Sequence, residues 1–212
     1  MAAVTSTISG EGKTFVAMNL AGIFAFSGKK VVLVDLDMRK PKVHKGFKVA
    51  NTVGMSTLLI GKSTLEESIH HSEVENLDYI TAGPVPPNPS ELIISKPMED
   101  LLAELKKRYD LVVIDTPPVG LVTDGLPIIQ EADYPLYIFR ADFSKKQFIQ
   151  NADRLINENH IRKLSVILNG IDLERSRYTN SYGYGYGYGY GYRSAYGDGY
   201  YNEPTKPRRE KK

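Results

Sequence analysis

Ser9-Gly10-Glu11-Gly12-Lys13-Thr14 is the stretch whose reading decides the fold. It is a glycine-rich turn between the short apolar run Ala2-Ala3-Val4 and a helix-like segment over 15–26. The backbone N–H groups of such a turn, and of the helix it opens, converge on one point and form a cradle for phosphate. Lys13 adds a point charge suited to the β- and γ-phosphates of a nucleotide, and Thr14 offers a hydroxyl to Mg²⁺. The usual phosphate-loop pattern opens with glycine where this chain has Thr7. A plain strand-to-helix turn carrying an incidental lysine therefore stands as the alternative.

Working outward, Val16, Leu20, Ile23 and Phe24 recur at helical spacing, and Gly28 stops the helix before Lys29-Lys30. Val31-Val32-Leu33-Val34-Asp35-Leu36-Asp37 then reads as a strand buried on both faces with carboxylates at its C-terminal end. In an extended strand Asp35 and Asp37 share a face. Such a pair asks for a nearby cation, and Mg²⁺ is one answer; a solvated strand end is the other. Tyr109-Asp110-Leu111-Val112-Val113-Ile114-Asp115-Thr116-Pro117-Pro118 repeats the design, a buried strand that ends in Asp115, where nucleotide sites hold their metal. Asp124 follows on the next loop, as a helix N-cap or as an outer partner of the site.

The rest of the pattern predicts short helices over 55–60 and 65–68, strands over 77–81, 136–139 and 164–169, and helices over 97–108 and about 145–157. Four prolines in 82–92 exclude regular structure there, and Asn88 or Ser90 caps the helix that starts at Glu91. Strands alternating with helices predict an α/β class: a doubly wound, mostly parallel sheet of the P-loop NTPase kind. Asn169 ends the last strand, either in contact with a nucleotide base or as a turn pair with Gly170. The four histidines, His44, His70, His71 and His160, form no ligand pattern and read as solvated.

The 212 residues are enough for one domain, placed at 1–177, followed by a flexible tail at 178–212. The chain has no cysteine, which excludes disulfides and thiolate metal sites. Its net charge of +2 gives no reason to invoke nucleic acid. It holds no apolar run of about 18 residues, so the chain itself is expected to be soluble. Ten of the fourteen tyrosines lie from Tyr178 onward, among them the strict alternation of Tyr182, Tyr184, Tyr186, Tyr188, Tyr190 and Tyr192 with glycine. Tyr196, Tyr200 and Tyr201 follow, and Arg208-Arg209-Glu210-Lys211-Lys212 closes the chain. One glycine per pair leaves one face bare and maximises the entropy lost on ordering. The tail is thus either a low-complexity linker or a leash of phenolic hydroxyls able to enter a cleft.

Cradle, strand-end carboxylates, the Pro-Pro-Asn-Pro-Ser-Glu-Leu segment (86–92), Ile114-Asp115-Thr116-Pro117-Pro118 and the tyrosine tail occur together in this order. In that combination the chain resembles the cytoplasmic domain of bacterial tyrosine kinases that control capsule and exopolysaccharide export, from about Val4 into the tail. The resemblance implies a MinD/ParA-type P-loop ATPase fold that binds ATP and Mg²⁺. It implies nucleotide contacts from Ser9, Gly10, Glu11, Gly12, Lys13, Thr14 and Phe15, with Asn169 opposite. The metal side falls to Thr14, Asp37 and Asp115. Lys13, Asp35, Asp37 and Asp115 carry the chemistry, with Asp35 accepting the proton of the incoming phenol or orienting it. Arg39 or Lys40 neutralises charge on the transferred group or pairs with a neighbouring subunit.

The acceptors implied are Tyr182, Tyr184, Tyr186, Tyr188, Tyr190, Tyr192, Tyr196, Tyr200 and Tyr201 of an adjacent copy in a ring-like homo-oligomer. The partners implied are a transmembrane chain-length regulator, fused or separate, and a cognate tyrosine phosphatase. The place is the cytoplasmic face of the bacterial membrane. Two family features are missing from this sequence: the Glu-x-x-Arg-x-x-Arg helix ahead of the first strand and the membrane-spanning portion. A partitioning-type ATPase is the second reading, though its Lys-Gly-Gly cradle start is replaced here by Thr7-Ile8-Ser9. A nucleotide-gated adaptor without enzymatic activity is the third.

Overall fold

The computed structural model describes residues 1–120, 123–161 and 163–172. The expected domain end at 177 and the tail tyrosines lie outside the described residues. Among the described residues seven strands form one sheet: β1 (Ala2–Ser6), β2 (Val31–Asp35), β3 (His70–His71), β4 (Leu77–Ile80), β5 (Leu111–Asp115), β6 (Tyr134–Arg140) and β7 (Ser165–Asn169). Their order across the sheet is β3-β4-β2-β5-β1-β6-β7. Every pairing is parallel except that of β3, a two-residue edge strand that the sequence pattern did not announce. All six parallel strands therefore end at the same edge of the sheet, and the candidate residues gather there.

The helices are α1 (Lys13–Phe26), α2 (Val43–Gly46), α3 (Met55–Leu59), α4 (Leu65–Ser68), α5 (Pro89–Ile93), α6 (Lys96–Arg108), α7 (Leu126–Glu131) and α8 (Ile149–Asn157). They cover both faces. Val31 and Leu33 of β2 pack with Val113 of β5 against α1, whereas Val32 and Val34 pack with Val112 and Ile114 against the helices on the other side. Alternate residues of one strand thus enter two cores, which is why β2 and β5 read as continuous apolar runs. On α1 the buried positions are Lys13, whose charge faces the site, and then Ala17, Ala21 and Ala25, a stripe of small side chains that lets the helix lie close to β1, β2 and β5. On α6 they are Met98, Leu101, Leu102 and Leu105, the apolar spacing that predicted this helix. Lys106, Lys107 and Arg108 end it, favourably placed at the negative end of the helix dipole.

Local differences from the sequence reading have physical causes. The helix expected over 145–157 is split into a 3₁₀ turn, Lys146–Phe148, and α8. The N-cap of α7 is Gly125, because Asp124 is engaged elsewhere. Asn88 stands at the N-cap of α5 without a side-chain capping bond, and Ser90 lies inside that helix with its hydroxyl directed at Asp124. His70 stacks on Tyr79 with ring centroids 5.2 Å apart, and so is not simply solvated. No helix among the described residues is long and apolar enough to cross a membrane.

Candidate active site

β1 delivers the chain into the glycine turn. Gly10 and Gly12 have φ of +99° and +95°, the left-handed region that favours glycine. A Cβ on Gly12 would stand 2.1 Å from Asn169 Nδ2, so a side chain there would displace Asn169 as well as strain the backbone. The first hydrogen bond of α1 runs from Val16 N to Gly12 O at 2.9 Å. The N–H groups of Lys13, Thr14 and Phe15 therefore precede the helical ladder, at its positive end. Lys13 is buried, and Phe15 turns its ring to solvent, so the part Phe15 can play in a cradle is its N–H.

The carboxylates meet by register. Asp35 of β2 is the neighbour of Asp115 on β5, and Val4 of β1 flanks Asp115 on the other side. Thr14 Oγ1 donates to Asp115 Oδ2 at 2.5 Å, tying the first turn of α1 to β5. Asp115 Oδ1 is buried with no hydrogen-bond partner among the described residues. The oxygens of Asp35 are occupied: Oδ1 accepts from Asp37 N at 3.1 Å, and Oδ2 from Lys42 N at 3.3 Å and Val43 N at 3.1 Å. Asp37 does not extend the strand face as expected. Pairing of β2 ends at Asp35, Leu36 N bonds across to Asp115 O at 2.9 Å, and the chain then turns, with Lys40 N donating to Asp37 Oδ1 at 3.1 Å.

Burial pushes Asp35 well above the ordinary carboxylate range, and the Asp115 charge adds to that against the N–H donors of Val43 and Lys42. Asp115 is likewise raised by burial, with Lys13 and the Thr14 hydroxyl pulling the other way. Asp37 is raised by burial and partly offset by Lys13. Three carboxyls remain disfavoured as anions although Lys13, Lys40 and Lys42 lie nearby, which marks a place where a further cation is favoured. The unpaired Asp115 Oδ1 beside the Thr14 hydroxyl suits Mg²⁺, a hard cation that takes oxygen ligands. Among the described residues no three His, Cys, Asp or Glu side chains converge on a metal position. An ion here would complete its shell with phosphate and water.

Behind the cradle, Glu11 and Asn169, both expected at the nucleotide, stand with Ser144, Arg140 and Tyr137, and these last three no motif marked. Glu11, fully buried, accepts from Ile8 N at 2.8 Å through Oε2 and from the Ser144 hydroxyl through Oε1. Arg140, the last residue of β6, donates from a guanidinium nitrogen to Gly10 O at 3.1 Å. Asn169 donates from Nδ2 to Glu11 O at 3.3 Å, so it braces the cradle from the end of β7, and Gly170 turns the chain beyond it with φ +70°. Thr7 Oγ1 and Tyr137 Oη are 2.8 Å apart and buried, which anchors the loop where the usual first glycine is missing. On the other flank Arg39 Nε donates to Asp124 Oδ2 at 2.7 Å, and Ser90 Oγ donates to Asp124 Oδ1 at 2.8 Å. This triangle ties the loops after β2 and β5 to helix α5. The one sequence signal for such residues was position: Arg140 and Asn169 stand at C-terminal strand ends.

A family model described as an AAA domain matches residues 1–161. The tyrosine-protein kinase YwqD of Bacillus subtilis is 40% identical over 180 residues, covering 85% of this chain and 76% of that protein. The tyrosine-protein kinase wzc of Salmonella typhi is 37% identical over 180 residues, again 85% of this chain but 25% of the longer relative. Among solved structures, the kinase domain of the Escherichia coli tyrosine kinase ETK superposes with a TM-score of 0.76 at 33% identity, covering 89% of this chain and 71% of that one. Both sequence and fold thus agree with these relatives, and the chain belongs to the bacterial tyrosine-protein kinases, enzymes on a P-loop ATPase fold.

Proposed function

We propose that the chain is an ATP- and Mg²⁺-dependent autokinase that phosphorylates the C-terminal tyrosines of a neighbouring copy. The observation that carries the reading is the fully buried Asp115, bonded through one oxygen to Thr14 and unpaired at the other, at the mouth of the cradle. Lys13 and the N–H groups of Ser9 to Phe15 bind the phosphates of ATP, while the side chain of Glu11 is turned inward. Thr14, Asp37 and Asp115 would hold Mg²⁺, which supplies charge neutralisation to the phosphates when bound. Asp35 takes the orienting role: by accepting three N–H groups it fixes the turn that carries Asp37, Arg39 and Lys40. A loose phosphoryl-transfer transition state asks for positioning more than for a strong base, so this division suffices. Asn169 contributes by bracing the cradle.

The acceptors are Tyr182 to Tyr201 on the tail that begins near residue 178. A ring-like oligomer brings one tail to the next site. The match covers only 25% of the wzc relative, which supports a membrane-regulator portion, fused or separate, holding the domain at the cytoplasmic face of the membrane. Each phosphate adds about −1.5 to −2 charge at neutral pH, so phosphorylated tails repel and loosen the ring. Capsule or exopolysaccharide export is the process regulated, and a tyrosine phosphatase resets it.

Intact mass after incubation with ATP and Mg²⁺, with Lys13→Met as control, tests the reading. Stepwise phosphate additions mapping to 182–201 in the parent alone are expected. An unmodified chain that releases ADP would refute it in favour of a plain ATPase, and tight nucleotide binding without turnover would refute it in favour of an adaptor.

A further inference from the structure

Ser144 lies on the loop between β6 and α8, far in sequence from every motif, yet it touches the phosphate loop. We propose that Ser144 is a positioning residue for nucleotide binding, whose hydroxyl holds the Glu11 carboxylate down inside the protein and away from the phosphate cradle. The inference rests on the reading of Ser9 to Phe15 as the ATP site.

A glutamate inside a phosphate loop is a liability. Free to swing, its carboxylate competes for the N–H groups meant for phosphate and repels the phosphate itself. In this chain the side chain points inward instead. Glu11 is wholly buried, with Oε2 on Ile8 N at 2.8 Å and Oε1 on the Ser144 hydroxyl. The direction of that second bond is set by a third group. Arg140 N donates to Ser144 Oγ at 2.8 Å, so the hydroxyl's own proton is free for Glu11.

The end of β6 and the same loop also lie against the cradle. The Arg140 guanidinium donates to Gly10 O at 3.1 Å, and a Cβ on Gly10 would come within 3.1 Å of the Phe143 ring. Arg140 also sits over that ring, 5.4 Å from its centroid. Arg140, Phe143 and Ser144 thus form a brace, of which Ser144 is the member that contacts the acidic side chain.

The test is calorimetric titration of MgADP into the full chain, with kinase kinetics alongside. Ser144→Ala is expected to raise the Kd for MgADP about tenfold, the scale of a hydrogen bond to a charged group, and to act on KM for ATP rather than on kcat. Ser144→Thr, which keeps the hydroxyl, is expected to recover the parent affinity. In a Glu11→Gln background, where no anion needs restraint, Ser144→Ala is expected to lose most of its effect. If Ser144→Ala does not fold, as judged by circular dichroism, Ser144→Cys replaces it, since it keeps the size and weakens the donor. Parent-like affinity in Ser144→Ala, no recovery in Ser144→Thr, or an undiminished effect beside Glu11→Gln would each overturn the proposal alone. A parent that binds no MgADP would overturn the cradle reading and this proposal with it.

Discussion

Replacing Asp115 by Asn is expected to stabilise the nucleotide-free protein and to remove its response to nucleotide. Asp115 has no solvent exposure, one unpaired oxygen, and Asp35 as its neighbour across the sheet. Its carboxyl is raised in the folded state by burial, so the folded protein holds that proton more tightly than the unfolded chain does. The resulting penalty on stability is absent below the unfolded pKa, grows as pH rises through the folded pKa, and is complete at neutral pH. Every tenfold by which folding tightens proton binding costs about 1.4 kcal/mol once the group is ionised. That shift is already net of the attraction of Lys13; against the gain, Asn leaves a buried amide N–H without a partner, worth about 1–3 kcal/mol.

A net gain of about 1 kcal/mol at neutral pH corresponds to about 2–4 °C in a protein of this size. Thermal melts of parent and variant from about pH 4 to about pH 8 should show the variant gaining on the parent as pH rises, with its advantage reached at the alkaline end. Saturating MgATP at about 100 times Kd should stabilise the parent by about 2.7 kcal/mol and leave the variant unmoved. A variant less stable than the parent at neutral pH, or a difference that ignores pH, would refute the claim that this carboxyl is held against its electrostatic preference. An equal MgATP shift in both would refute its place on the metal side.

Three further outcomes are expected. Gly12→Ala should destabilise by about 1–3 kcal/mol and abolish MgADP binding, because φ is +95° and the new methyl meets Asn169; melts and titration report both. Burial works to raise the Asp124 carboxyl, but the hydrogen bonds from Arg39 and Ser90 outweigh it and hold the group below its ordinary value. Its contribution is therefore present above the unfolded value and lost as pH falls through the folded one, so Arg39→Ala should lower stability by about 0.5–1 kcal/mol at neutral pH and by nothing in strong acid, seen in urea unfolding at both ends. Tyr137→Phe removes the partner of Thr7 and should lower Tm by about 2–4 °C per kcal/mol lost, with about 1 kcal/mol expected for one buried hydrogen bond.

The central strands and their burial were legible in the sequence because each depends on its own residues, whereas β7, equally apolar, lies at the sheet edge with Val166 and Leu168 exposed. A run such as Val31 to Val34 has to leave water on both faces, and the spacing of Met98, Leu101, Leu102 and Leu105 forms an apolar stripe on any helix. The cradle was legible too, since its glycines and Lys13 fall within four consecutive positions. The two-residue β3 and the short helices α2 and α7 were not, for each is too brief to show a period and exists by pairing or packing.

What only the tertiary structure decided is which distant groups meet. Asp35 and Asp115 became neighbours through the order of β2 and β5 in the sheet. The inward turn of Glu11 depends on Ser144, 133 positions away, and the Arg39–Asp124–Ser90 triangle joins two separate loops and helix α5. Asp37 left the strand face because pairing stopped two residues short of it. Burial is non-directional and adds up locally, so a sequence can specify it residue by residue. Hydrogen bonds and charge pairs act over a few ångströms in set directions, so their partners are chosen by the fold as a whole.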